Sequence, residues 1–208
     1  MKKAIIILGF ILCTVNIYSQ IVSVSNGIAI SKIQSSIGYE NPIYTYSISL
    51  SLNYLNAKYY EVSSRIGWYN KGGNTDIQLV DCNGDIIANN ISNTMGYLQL
   101  GTNFRGKLPL GKFALFAGCG PKIDILLKTK SNISTNYISP NTDLDLTKRT
   151  LKSAVFGINP EIGIMYETDQ LRFEISSSYI CDLHHIDKND LNIKGNSLLL
   201  LFSIGLIL

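Results

Sequence analysis

The chain has 208 residues, enough for one domain with a sizeable core. Hydrophobic residues make up 46% and charged residues 16%, where soluble domains usually carry about a quarter charged. The net charge of +3 comes from 18 basic and 15 acidic residues. It excludes a nucleic-acid-binding role, which needs concentrated basic patches.

The N-terminus reads as a secretory signal peptide over residues 1–19. Lys2 and Lys3 form a basic start, Ala4 to Val15 is an apolar run, and Ser19 is the small residue before a cleavage site. The run falls short of the ~20 residues a spanning helix needs. Cys13 follows the large residues Ile11 and Leu12, unlike a lipoprotein processing site. The mature domain is then 20–208, with 16 basic and 15 acidic residues and a net charge of about +1. It retains Cys82, Cys119 and Cys181. An odd number cannot form a complete disulfide framework, though Cys82 and Cys181 fall on the same side and could pair.

From there the pattern is alternation with period two, the mark of strands with unlike faces. A first strand over Ser23–Lys32 has Val24, Ile28 and Ile30 in phase. Ile43–Tyr54 sets Tyr44, Tyr46, Ile48, Leu50, Leu52 and Tyr54 against Thr45, Ser47, Ser49, Ser51 and Asn53. Tyr60–Trp68 follows, with Glu61 and Arg65 on its polar face, then Tyr97–Lys107 with Gln99, Asn103, Arg105 and Lys107. Phe113–Lys128 puts Lys122, Asp124 and Lys128 opposite Leu115, Ala117, Ile123, Ile125 and Leu127. Ser153–Glu167 carries Glu161 on its polar face, Leu171–Tyr179 carries Arg172 and Glu174, and Ser197–Leu208 ends the set with an apolar ladder.

Eight strands are predicted. Their connections alternate in length: short at 55–58, 108–112 and 168–170, long at 33–42, 70–93, 129–152 and about 180–196. That is the pattern of an eight-stranded antiparallel up-and-down transmembrane β-barrel, with both ends on the short-turn rim. A soluble, lipocalin-like barrel with the apolar face inward is the alternative. Three features favour apolar-out. The polar face is mostly Ser, Thr, Asn and Gly; its charges are of both signs; and Tyr44, Tyr54, Tyr60, Trp68 and Tyr166 sit near strand ends as girdle aromatics do. Glu61, Arg65, Arg105, Lys122, Asp124, Glu161, Arg172 and Glu174 are then interior charges that can pair in a lumen just wide enough to fill with side chains.

Three motifs carry a resemblance: Tyr69-Asn70-Lys71-Gly72, Tyr97-Leu98-Gln99-Leu100 and Gly118-Cys119-Gly120-Pro121. In order and spacing they resemble the outer-membrane β-barrel "porin family" of Bacteroidota, the PorT-like group. Gly101 stands where a proline often follows the second motif, and the chain ends in Leu208 where many such barrels end in Phe. The resemblance implies an outer-membrane protein of a Gram-negative envelope and no single reaction.

Candidate chemistry is sparse. Asp182, His184, His185, Asp187 and Asp190 cluster in the last long loop and could hold a metal or serve a hydrolase, but neighbouring loop residues establish neither converging ligands nor a positioned nucleophile. Gly118 and Gly120 lack the helix and Lys-Ser/Thr element of a phosphate loop, and read instead as relief of crowding in the wall. No cofactor is expected. The expected partners are outer-membrane lipid, the barrel assembly machinery during biogenesis, and an envelope protein met through the long loops. The function expected is a non-enzymatic envelope barrel; the alternatives are a narrow channel or small-ligand carrier, and an enzyme using His184 and His185.

Overall fold

The computed structural model describes residues 21–35, 38–39, 41–75, 79–80, 86–135, 151–184, 186 and 194–208. All of its regular structure is β. The strands are β1 (Ile21–Ser35), β2 (Gly38–Tyr39), β3 (Ile43–Asn56), β4 (Tyr60–Thr75), β5 (Leu79–Val80), β6 (Ile86–Leu110), β7 (Phe113–Cys119), β8 (Pro121–Thr135), β9 (Ala154–Ile158), β10 (Glu161–Glu167), β11 (Leu171–Asp182) and β12 (Lys194–Ile207). No described helix is long and apolar enough to cross a membrane, a test that leaves strands unaddressed.

These strands make eight antiparallel staves that close on themselves. β7 and β8 form one stave and β9 and β10 another, because the pairing runs in unbroken register across both junctions. Each junction holds a proline, Pro121 or Pro160, whose missing N–H interrupts the ladder without ending the strand. At Gly120 the neighbouring backbone is close: a Cβ there would fall 1.6 Å from the Thr102 carbonyl oxygen, so only glycine fits. The wall closes where β12 pairs with β1, from Ile21↔Ile207 to Gln34↔Lys194. The lumen-facing polar residues of this seam are serines. Ser203 bonds Ser25 at 2.8 Å, Ser31 meets Ser197 at 2.8 Å, and Ser23 reaches Ser51 of β3 at 2.9 Å.

The short turns lie where the connection lengths placed them. β6 and β7 are joined by Gly111-Lys112, and Gly111 takes a φ of 72°, the left-handed geometry two-residue hairpins favour. The long connections are shorter than expected, because strand pairing continues into them. β4 runs on to Thr75, β6 begins at Ile86 and β8 reaches Thr135. Polar side chains do not stop a ladder built from backbone bonds, so composition misplaced these ends.

The apolar face points outward. Val24, Ile48, Leu50, Ile162, Ile175 and Phe202 are all exposed, Ile175 at 67%, and girdle residues Tyr44 and Tyr60 are exposed as well. Such a belt gains stability only by facing hydrocarbon.

Two expectations about the wall need correction. The alternation places Lys128 on the polar inner face, but a bulge pairs Gly96 with Lys128 and Tyr97 with Leu126, leaving Leu127 as the extra residue. The extra residue reverses the alternation, so Lys128 stands outside. The lumen is also not polar throughout. Near the long-connection rim, Ala29, Ile33, Met95, Val155, Ile180, Ile186, Leu199 and Leu201 form a buried apolar core with Tyr69 and Tyr97.

Candidate functional site

The lumen is the most elaborated part of the molecule, and its charges fall into two groups at different heights. The lower group lies towards the short turns. Arg105 on β6 is its centre, donating through Nε to Glu161 Oε1 at 2.5 Å, through Nη1 to Glu61 Oε1 at 2.8 Å and through Nη1 to Glu174 Oε2 at 3.0 Å. Its guanidinium also lies 4.5 Å over the Phe116 ring. Arg65 Nη2 reaches Glu161 Oε2 at 3.2 Å, Asn103 donates to Glu161 Oε1 at 2.6 Å, and Arg172 Nη1 donates to Glu61 Oε2 at 2.9 Å. Arg172 Nε further bonds Glu167 Oε1 at 2.8 Å, while Lys107 bonds Asn56 and stands 3.7 Å from Glu61. Three arginines and Lys107 thus face four glutamates, in formal balance. The planar arginine fork explains the branching, since one side chain can serve several carboxylates at fixed angles.

Below this network an open cleft of about 490 Å³ enters from the short-turn rim, lined in part by Asn56, Lys107, Lys112, Met165 and Glu167. Glu167, whose side chain is 36% exposed, and Arg172 mark where the wet vestibule meets the packed lumen.

The upper group is a four-membered box. Lys71 Nζ donates to Asp124 Oδ2 at 2.8 Å and to both carboxylate oxygens of Asp182, at 2.7 and 2.8 Å. Lys122 bonds the same two aspartates, reaching Asp182 Oδ1 at 2.6 Å. Tyr69 donates its hydroxyl to Asp124 Oδ2 at 2.7 Å. The Lys71 ammonium lies 5.0 Å from the Tyr97 ring centre and 5.7 Å from that of Tyr69. The Tyr97 hydroxyl has a weaker partner, Met95 Sδ at 3.7 Å. Two cations and two anions are thus enclosed by aromatic faces and by the apolar core.

All eight interior charges read from the sequence are buried in the lumen, and they divide between the groups. Glu61, Arg65, Arg105, Glu161, Arg172 and Glu174 belong below; Lys122 and Asp124 belong above. Lys71 and Asp182 complete the upper box and were missed in that role. Both continue the inward phase of their strands, Glu61-Ser63-Arg65-Gly67-Tyr69-Lys71 and Arg172-Glu174-Ser176-Ser178-Ile180-Asp182, beyond the ends the sequence suggested.

The loop cluster does not survive as a unit. Asp182 is a strand residue held by two lysines, whereas His184 is exposed with its ring edge towards Phe156 at 6.3 Å. His185, Asp187 and Asp190 lie outside the described residues. Among the described residues no three His, Cys, Asp or Glu side chains converge as metal ligands. Cys181 is a free thiol of β11, as Cys119 is of β7, and Cys82 lies outside the described residues. Residues 1–19 lie outside them as well.

No family model matches the sequence, and no curated protein sequence matches it. Solved structures do match. Neisserial surface protein A is similar with 10% identity and a TM-score of 0.54, over 92% of this chain and 99% of that one. Ail, the attachment invasion locus protein of Yersinia pestis, shows 11% identity and a TM-score of 0.46 over 91% and 99%. The N-terminal barrel domain of Pseudomonas aeruginosa OprF shows 8% identity and 0.44 over 89% and 97%. The first of these shows the fold, an outer-membrane-type β-barrel.

Proposed function

We propose that this chain is a non-enzymatic barrel of the Gram-negative outer membrane, exported by its N-terminal segment, which presents its long connections to a partner in the envelope. The observation that carries the reading is the contrast between the two faces of the wall. An apolar exterior suits hydrocarbon. The interior is spanned by balanced ion pairs from staves on opposite sides, such as Lys71–Asp182 and Arg172–Glu61. Side chains locked in this way leave the lumen packed, which favours a structural and display role over conduction.

The finer placement among PorT-like porin-family barrels of Bacteroidota rests on the three short motifs. Two of them supply Tyr69, Lys71 and Tyr97 to the upper box, and the third supplies Gly120, where the backbones crowd. A motif kept for packing inside a barrel is what such a resemblance would consist of.

The test is topological. With an epitope inserted at Asn141 the barrel should be labelled on intact cells, and with one at Lys58 it should be labelled only after permeabilisation. The protein should sediment with outer membranes, with a mature start near Gln20. Recovery as a soluble periplasmic protein, or a steady single-channel conductance from the refolded barrel, would overturn this function.

A further inference from the structure

The two charge groups of the lumen meet on the inner wall of β3, β4 and β6. Two register-matched rows lie there: Ser51, Arg65 and Gly101, then Ser49, Gly67 and Gln99. Arg65 belongs to the lower group through Glu161, and Gln99 faces Asp124 of the upper box across the ladder. The polar residues of both rows are more than nine-tenths buried.

Six buried side-chain atoms have no hydrogen-bond partner among the described residues, and four of them fall in these two rows. They are Arg65 Nε and Nη1, Gln99 Nε2 and Ser49 Oγ. Every one of the four can donate, and only the hydroxyl can also accept. A buried donor left unpaired is costly, and more so on a cation. The wall itself supplies no acceptor. Gly101 stands directly opposite Arg65, and Gly67 stands between Ser49 and Gln99. A Cβ at Gly67 would fall 2.8 Å from Ser49 Cβ, so no longer side chain fits at that position. The Ser51 hydroxyl is already bonded to Ser23. Arg65 also has fewer carboxylates than the other arginines of the lower group. It reaches Glu161 Oε2 at 3.2 Å, and that carboxylate already accepts twice from Arg105 and once from Asn103.

We propose that Arg65, Gln99 and Ser49 bind a small monovalent anion of chloride size in the middle of the lumen. An anion accepts from all four donors at once and sits against a guanidinium whose charge is incompletely met. A water in the same place would bring two hydrogens of its own, for which Asp124 Oδ1 is the nearest partnerless acceptor among the described residues. The charge of that carboxylate is met by Lys71 and Lys122. The size follows from packing, since ion-paired side chains fill the lumen above and below and exclude a polyatomic anion such as gluconate. The ion is enclosed as the barrel folds and joins the two charge groups as a structural ligand. This assignment concerns the lumen alone and is independent of where in the cell the barrel resides.

The full chain is refolded in maltoside micelles from chloride-free sodium gluconate, and a urea titration is read by heat-dependent gel mobility. Chloride or bromide then replaces gluconate at constant ionic strength. Halide should stabilise the barrel saturably, and at about ten times its Kd the folded-to-unfolded ratio should rise about elevenfold. Gln99→Met should need about tenfold more halide for the same gain, the loss of one hydrogen bond to an ion. Ser176→Ala removes the partnerless hydroxyl on β11 and should respond as the wild type does. Arg65→Met should lose the halide response; if it does not fold, Gln99→Met and Ser49→Ala carry the test. Crystals of the wild type grown with bromide should show an anomalous peak within hydrogen-bond reach of Arg65, Gln99 and Ser49. Equal stability in halide and gluconate, or an unchanged response in folded Arg65→Met or Gln99→Met, overturns the proposal. So does a response weakened as much by Ser176→Ala, or a bromide peak only elsewhere. Density at the site with no anomalous signal assigns it to ordered water and overturns the anion.

Discussion

The two ion-paired groups of the lumen are alike in bookkeeping and opposite in setting. Each is formally neutral and each ties distant staves together. The lower network sits among Ser and Asn side chains above a wet vestibule, with its carboxylates shared among several arginines. The upper box has only four charged members, and it is embedded in apolar and aromatic side chains. Attraction between opposite charges grows as water is excluded, and so does the cost of leaving one of them unpaired. The comparison teaches that equal charge counts do not mean equal sensitivity.

The largest effect should therefore come from the upper box. Lys71→Met leaves Asp182 and Asp124 to share Lys122, and removal of one partner from a buried ion pair costs about 3–5 kcal/mol. Asp182→Asn added to Lys71→Met restores charge balance and should recover a large part of that loss. Denaturant titration of the micelle-bound barrel, read by gel mobility, measures both. A double variant no more stable than the single one would break the electrostatic account of the box.

Below, the matching change should cost less. Arg172→Met removes one of several cations around Glu61, which keeps Arg105 at 2.8 Å and Lys107 at 3.7 Å. A loss of about 2 kcal/mol is expected, the scale of hydrogen bonds to charged groups. Because Arg172 borders the vestibule, added salt should narrow its gap from wild type more than it narrows that of Lys71→Met. Equal salt dependence would erase the distinction between a wet and a dry site.

The smallest effects separate two tyrosines of similar burial. Tyr69→Phe removes the 2.7 Å hydrogen bond to Asp124 and should cost about 1.5 kcal/mol. Tyr97→Phe removes only a long contact to Met95 sulfur and keeps the ring under the Lys71 ammonium, so the change should stay within about 0.5 kcal/mol. The same denaturant titration ranks them, and the reverse order would mean that the hydroxyl of Tyr69 is not what steadies Asp124.

How much of this could be read from the sequence divides along the same line. The outer face and the lower network were legible because β3, β4, β10 and β11 alternate cleanly, placing Glu61, Arg65, Glu161, Arg172 and Glu174 in phase. The upper lumen was not legible. Leu198 to Leu201 is apolar on both faces, so period two has nothing to contrast, and Ile186 reaches the core from outside any strand. Lys71 and Asp182 lay past the points where composition turns polar, although their phase pointed inward. The alternation points Lys128 the wrong way because a bulge is a property of the paired strands and leaves no mark on one strand's own pattern.

The seam between β1 and β12 bears on how such a wall comes to be completed. Among the described residues, the lumen-facing side chains that β1, β3 and β12 carry are hydroxyls, amides, glycines and aliphatics, while the ion pairs of the lumen join residues of β4, β6, β8, β10 and β11. Its ion pairs join positions as much as 111 residues apart, so they can mature only once the sheet has curled. Pairing of the last strand with the first then buries serine hydroxyls, and no charge, on the lumen side of the seam. Its barrier is the entropy of bringing two distant chain ends together and the exchange of serine–water bonds for serine–serine bonds. Closure of this cylinder carries little electrostatic cost, and the seam is held by an unbroken backbone ladder of fourteen paired positions, from Ile21↔Ile207 to Gln34↔Lys194.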